Sequence, residues 1–227
     1  AQETYGQHDL NVSNGIEIKF SNVSFNFSPH VKLIENLSFT IKPLQQICVF
    51  GCSGSGKSTI AELITGLRTP HQGYIEINGI NIRELNLAQV RQHIGYAGQI
   101  EIIETSILDN ILIGRSGIDI DKVSQVLKDL NLYDIIFRLP NGLETQLTPS
   151  GAPFSFQQAK LLMLARALLC EPKLVIIDEI LDGLDALHLT KVLNLLAEHR
   201  NDFTLIVMTR IETIAKNFEQ QITLNNV

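Results

Sequence analysis

Gly51-Cys52-Ser53-Gly54-Ser55-Gly56-Lys57-Ser58-Thr59 follows the spacing G-x-x-x-x-G-K-S, and its residue types suit the holding of phosphate. Gly51, Gly54 and Gly56 allow torsions and close approaches that a Cβ forbids, so successive backbone N–H groups turn toward one anion. Lys57 supplies a mobile ammonium for the terminal phosphates, and the Ser58 hydroxyl is a ligand for Mg2+. Cys52, Ser53, Ser55 and Thr59 complete the phosphate-binding set. The Cys52 thiol reads either as a modifiable group or as a neutral filler.

The elements around this loop are those it requires. Ile47-Cys48-Val49-Phe50 is an apolar, β-prone run that leads in, and Ile60-Ala61-Glu62-Leu63-Ile64 leaves with helical character. The order is therefore strand, glycine loop, helix, with the positive end of the helix dipole at the loop. Far along the chain, Leu174-Val175-Ile176-Ile177 reads as a buried parallel strand with Asp178-Glu179 at its carboxyl end, the edge at which α/β sheets bind ligands. There Asp178 is placed to hold the Mg2+ hydration shell near Ser58, and Glu179 to polarise an attacking water.

The remaining pattern fills out an α/β fold. Residues 1–15 are polar and aperiodic and are expected to form a linker or frayed arm. Ile16–Phe20 alternates with period two, Asn22–Phe27 reads as a second strand segment and Ile34–Ile41 as another, and Gly73–Gly79 is a strand closed by an Asn-Gly turn. Together they predict a small antiparallel sheet. Asn86–Ile94 is a short polar helix, followed by a strand over Gly95–Gly98 and then Gln99. From Thr105 to Ala167 the character is helical, with Val123, Val126, Leu127 and Leu130 at amphipathic spacing behind a cap at Asp119 or Asp121 and a break at Pro140-Asn141-Gly142. Ser155 and Gln158 have capping-box spacing before a helix that runs to about Leu169. Thr190–His199 predicts a further helix, and Phe203–Met208 and Gln221–Leu224 predict strands.

Composition narrows the function. With 227 residues, 44% of them hydrophobic, the chain can bury the core of one large domain. A net charge of -6 without a Lys/Arg cluster argues against a nucleic-acid surface, so the bound phosphate belongs to a nucleotide. Three cysteines without C-x-x-C spacing argue against a disulfide framework or a zinc site, and the six histidines lack ligand spacing. No stretch reaches membrane-spanning length and no signal peptide opens the chain, which predicts that any membrane part lies elsewhere.

From Ile16 to Leu224 the order of motifs resembles the ATP-binding cassette ATPases, the nucleotide-binding domains of ABC transporters. Thr105-Ser106-Ile107-Leu108-Asp109-Asn110-Ile111 and Leu139-Pro140-Asn141-Gly142 are similar to the exporter branch, and Ala165-Arg166-Ala167-Leu168-Leu169 and Pro172 follow the family pattern. The fold implied is α/β: a P-loop (RecA-like) mixed sheet with helices on both faces, an antiparallel β-subdomain, and a helical subdomain over about 102–168, all within 16–227. The resemblance also implies that Phe27 lies in the aromatic loop that stacks on adenine, a core aromatic being the other reading; that Gln99 is the Q-loop glutamine, on the metal and the reacting water; that Ser155 and Gln158 belong to the signature facing a partner's ATP; and that Asp185, after Leu184, belongs to the D-loop. MgATP, a transmembrane domain on the same polypeptide or another chain, a second ATP-binding domain in a head-to-tail homo- or heterodimer, and a place on the cytoplasmic face of the membrane come with it.

Two departures qualify the expected ATPase. The signature falls on Phe154-Ser155-Phe156-Gln157-Gln158 with both of its glycines replaced, and the switch segment Leu205–Thr213 lacks its histidine, leaving Thr209 or Arg210 in that place. Binding is then expected to survive better than hydrolysis, since loss of one transition-state donor lowers turnover by about 10² to 10³-fold. A regulatory module that binds nucleotide with little or no turnover is the alternative.

Overall fold

In the computed structural model, which describes residues 6–12, 14–28 and 31–224, the chain runs β1 (Ile18–Ser28), β2 (Val31–Ile41), β3 (Gln46–Gly51), α1 (Lys57–Ile64), β4 (Gln72–Ile77), β5 (Ile80–Asn81), α2 (Leu87–Gln92), β6 (Ile94–Ala97) and α3 (Ile107–Leu112). It continues through α4 (Ile120–Asp129), α5 (Tyr133–Phe137), α6 (Phe156–Leu168), β7 (Leu174–Asp178), α7 (Ala186–Glu198), β8 (Thr204–Thr209), α8 (Glu212–Ala215) and β9 (Gln220–Leu224). Two sheets result: an antiparallel one in the order β2-β1-β4-β5, and a five-stranded one in the order β6-β7-β8-β3-β9 whose pairs are all parallel.

The central strands of the parallel sheet are apolar at consecutive positions because both faces are covered. Val175, Ile177, Leu205 and Val207 pack into the core shared with α3, α4, α6 and α7. Their neighbours Leu174, Ile176, Ile206 and Met208 pack with Ile47 and Val49 into the core shared with α1 and the antiparallel sheet. The sheet is thus a middle layer between helices on one side and a helix with a second sheet on the other. Asn78 and Gly79, with φ of 49° and 77°, make the tight turn between β4 and β5 that the Asn-Gly pair predicts.

Three expectations change, and one short helix was not expected. The strands expected over 16–20 and 22–27 are one continuous β1: Asn22 takes a left-handed backbone (φ 51°) and the pairing with β2 shifts register between Phe20 and Val23, so a bulge mimics a break. The stretch expected as a linker or frayed arm is docked over its described part, since the Gly6 and His8 N–H groups donate to the carbonyls of Leu85 and Glu84 at 3.2 and 3.0 Å and Leu10 is buried in the same cluster as Ile16. Main-chain pairing needs no side-chain period, so the sequence carries little sign of it. Helix α7 starts at Ala186, four residues before the expected Thr190, because Asp185 caps it, and the single turn α8 is too short to leave a periodic pattern.

Candidate nucleotide site

Parallel register brings the loop and the acidic strand end together. Phe50 pairs with Thr209 and Met208 with Asp178, so β3, β8 and β7 all end at one edge of the sheet. Gly51 lies at a close approach, where a Cβ would meet the Ser55 Oγ at 2.5 Å and the Leu224 carbonyl oxygen at 2.9 Å. Gly54 and Gly56 have φ of 80° and 95°, and Gly56 is the N-cap of α1. Cys52, Ser53 and Ser58 are exposed along this turn, whereas Ser55, Lys57 and Thr59 are buried.

Lys57 is folded inward. Its Nζ donates to the Gly51 and Cys52 carbonyls at 2.8 and 2.7 Å and lies 3.0 Å from Glu179 Oε1. Glu179 itself has a left-handed backbone, φ 53°, and its N–H donates to the Met208 carbonyl at 3.0 Å. Ser58 and Asp178 line the same cavities, and the Tyr96 hydroxyl donates to Asp178 Oδ2 at 3.3 Å. Burial raises the Asp178 pKa above the ordinary carboxylate value, and the charge of Glu179 adds to this, while the nearby Ser58 and Tyr96 hydroxyls and Lys57 oppose it. The Tyr96 phenol is likewise pushed up, first by burial and then by the Asp178 charge.

Asp178 Oδ1 is buried without a hydrogen-bond partner, as is Ser55 Oγ. Ser58, Asp178, Tyr96 and Gln99 line one cavity of about 370 Å³, and Ser58, Asp178, Glu179 and Gln99 line an adjoining one of about 290 Å³. An orphaned carboxylate oxygen beside a serine hydroxyl, with a glutamine amide on the same wall, is an all-oxygen set that suits a small hard cation. These residues fit Mg2+.

The other expected site residues are placed elsewhere. Phe27 is 58% exposed, edge-on to Phe25 and with the Arg68 guanidinium 5.2 Å from its ring centre, so it is not a core aromatic. Ser155 and Gln158 form the expected capping box of α6, the Ser155 N–H donating to Gln158 Oε1 at 2.8 Å and the Gln158 N–H to Ser155 Oγ at 3.3 Å. Asp185 caps α7, and its N–H donates to Gln157 Oε1 at 3.4 Å, which ties the replaced signature to the D-loop position. Thr209 is fully buried and its hydroxyl donates to Asp182 Oδ1, while the Arg210 N–H donates to Asp182 Oδ2 at 3.1 Å.

Sequence reasoning overlooked Tyr96, Asp182 and Lys160. Tyr96 is flanked by glycine and alanine in a short strand, which gave no hint of its partner. Lys160 did carry a signal: with Arg166 it is one of two cations within the α6 run Ala159–Ala167, all of which is buried.

A family model described as ABC transporter matches residues 34–182. The chain belongs to the ABC transporter family. Within that family it is 33% identical over 201 residues to ATP-binding cassette sub-family B member 5 of Homo sapiens, an alignment covering 87% of this chain and 16% of that protein. It is 32% identical over 228 aligned positions to the ATP-dependent lipid A-core flippase of Saccharophagus degradans, covering 100% of this chain and 39% of the flippase. The structure of a bacterial Atm1-family ABC exporter with ATP bound superposes with a TM-score of 0.90 at 26% identity, covering 97% of this chain and 39% of the exporter. This ABC transporter chain thus spans well under half the length of these relatives. None of its described helices is long and apolar enough to cross a membrane.

Proposed function

We propose that the chain is the ATP-binding and ATP-hydrolysing domain of an exporter-type ABC transporter. It would act with a transmembrane domain, on the same polypeptide or another, at the cytoplasmic face of the membrane, and pair head to tail with a second ATP-binding domain. The observation that carries this reading is the cavity wall that Ser58, Asp178 and Gln99 share, with one Asp178 oxygen orphaned, beside a glycine loop whose lysine meets Glu179.

The chemistry follows from where these groups sit. Lys57 exchanges the Gly51 and Cys52 carbonyls for phosphate oxygens, and the loop's N–H groups and the start of α1 take the remaining negative charge. Ser58, Asp178 and Gln99 would hold Mg2+, which when bound neutralises charge on the terminal phosphates. Release of Lys57 frees the Glu179 carboxylate to accept a hydrogen bond from the attacking water and polarise it. Phe27 offers an exposed ring for the adenine.

Turnover is slow in this reading. Phe156 and Gln157 put side chains where glycines would let a partner's γ-phosphate approach, and the Thr209 hydroxyl is already committed to Asp182. The intact set of Lys57, Ser58, Asp178 and Glu179 still supports an enzyme over a regulatory module. Steady-state phosphate release from the purified chain tests this: slow turnover that Glu179→Gln abolishes is expected, and turnover indifferent to that change refutes the assignment.

A further inference from the structure

One cation at this edge of the sheet has no part in the chemistry above. Lys160 of α6 is 8% exposed. Its Nζ donates to the carbonyl oxygens of Glu179 and Ile180 at 3.2 and 3.1 Å, and lies 5.1 Å from the centre of the Phe156 ring. Gly183 closes the other side, since a Cβ there would collide with Nζ. With Phe156, Lys160 lines the smaller cavity that also holds Ser58, Gln99, Asp178 and Glu179.

Burial of this ammonium lowers its pKa, and the Asp182 and Glu179 carboxylates only partly offset that, with Arg210 adding to the lowering. Stability alone does not favour such a residue. The positions around it are leucine, methionine and alanine, and an apolar side chain of similar volume avoids the desolvation cost altogether. What the ammonium does is donate to two consecutive carbonyls of the turn that follows β7. The first belongs to Glu179, whose left-handed backbone (φ 53°) is one that a residue other than glycine holds only when its surroundings impose it.

We infer that Lys160 is a positioning residue for Glu179. Its ammonium clamps the Glu179–Ile180 turn to α6, fixes the strained backbone and so sets the carboxylate beside Lys57. Glu179 is then held at three points: its N–H by the Met208 carbonyl, its carbonyl by Lys160, and its carboxylate by Lys57. The clamp also connects the first turn of α6, where the signature departs from the family, to the residue proposed to polarise water. The inference rests on the role given to Glu179 above.

The test compares Lys160→Met, which keeps the volume and removes every donor, with Lys160→Gln, which keeps a neutral donor. Each variant is measured for amide hydrogen exchange over residues 179–184, for ATP affinity and for kcat. Lys160→Met should speed exchange in that segment about tenfold and lower kcat about tenfold while Kd stays within about twofold; Lys160→Gln should fall between it and the parent. Unchanged exchange and kcat in Lys160→Met overturn the inference, as does a loss of kcat fully matched by a loss of affinity. Should the parent chain show no turnover, the role of Glu179 fails by itself. The exchange comparison still decides the clamp: acceleration supports it and parental rates overturn it.

Discussion

The inward fold of Lys57 makes the nucleotide compete with Glu179, and the size of that competition can be worked out. The ammonium gives up two carbonyl contacts and one carboxylate contact at 3.0 Å to meet phosphate. Of these only the carboxylate is removed by Glu179→Gln. The lysine end is 2% exposed and the glutamate end 38%, so solvent screens the pair from one side, and its worth is discounted to about 1 kcal/mol, the upper end for exposed pairs. At 1.4 kcal/mol per tenfold, Glu179→Gln is expected to tighten nucleotide binding by about fivefold at most, since the glutamine retains a weaker neutral hydrogen bond. The same change should lower phosphate release at least about 10²-fold by removing the group that polarises water. Binding is best measured with a fluorescent ADP analogue in Mg2+, which is not consumed, and phosphate release under saturating MgATP. Unchanged or weaker ADP binding in Glu179→Gln refutes the competition, and retained turnover refutes the role of Glu179.

Three further outcomes follow from the same geometry. Phe27→Ala should weaken ATP binding by about tenfold, the scale of a lost base-stacking contact, with unchanged Mg2+ dependence and thermal stability, because the ring is exposed; equilibrium titration and a melting curve check both. Phe156→Gly combined with Gln157→Gly should raise turnover and ATP-dependent dimer formation if these side chains hold a partner's phosphate away, as read by phosphate release and sedimentation. Arg166 donates to the carbonyls of Asn110 and Glu101 and to Asn110 Oδ1, and burial lowers its pKa to about 10. Arg166→Met should therefore cost about 3 kcal/mol by leaving buried acceptors unpaired, as measured by denaturant unfolding.

The sequence revealed most where one residue type has one physical use. The glycine loop was legible because Gly51, Gly54 and Gly56 do what a Cβ forbids, and the strand ending at Asp178 because a short, uninterrupted apolar run suits a strand covered on both faces. The capping box was legible because Ser155 and Gln158 stand three residues apart ahead of a helix. Where pairing runs through the main chain, side chains carried no message, which is why residues 6–12 read as a linker or frayed arm and β1 as two strands. Lys160 was visible as a cation in an apolar helix, but its partners are carbonyls some twenty positions away, and only the fold brings them to it. Thr209 was named for its place in the motif order; that Asp182 occupies its hydroxyl depends on a contact across 27 positions.

The account depends most on the glycine loop, with Ser58 and Asp178 beside it, gripping a magnesium nucleotide. Calorimetric titration of ATP into the purified chain, with Mg2+ and with chelator, and repeated with Lys57→Ala and Asp178→Asn variants shown to melt normally, tests it directly. The expected result is binding that strengthens with Mg2+ in the parent, falls by at least about tenfold in Lys57→Ala, and loses its Mg2+ dependence in Asp178→Asn. Equal affinity in all three proteins, or none in the parent, would contradict it.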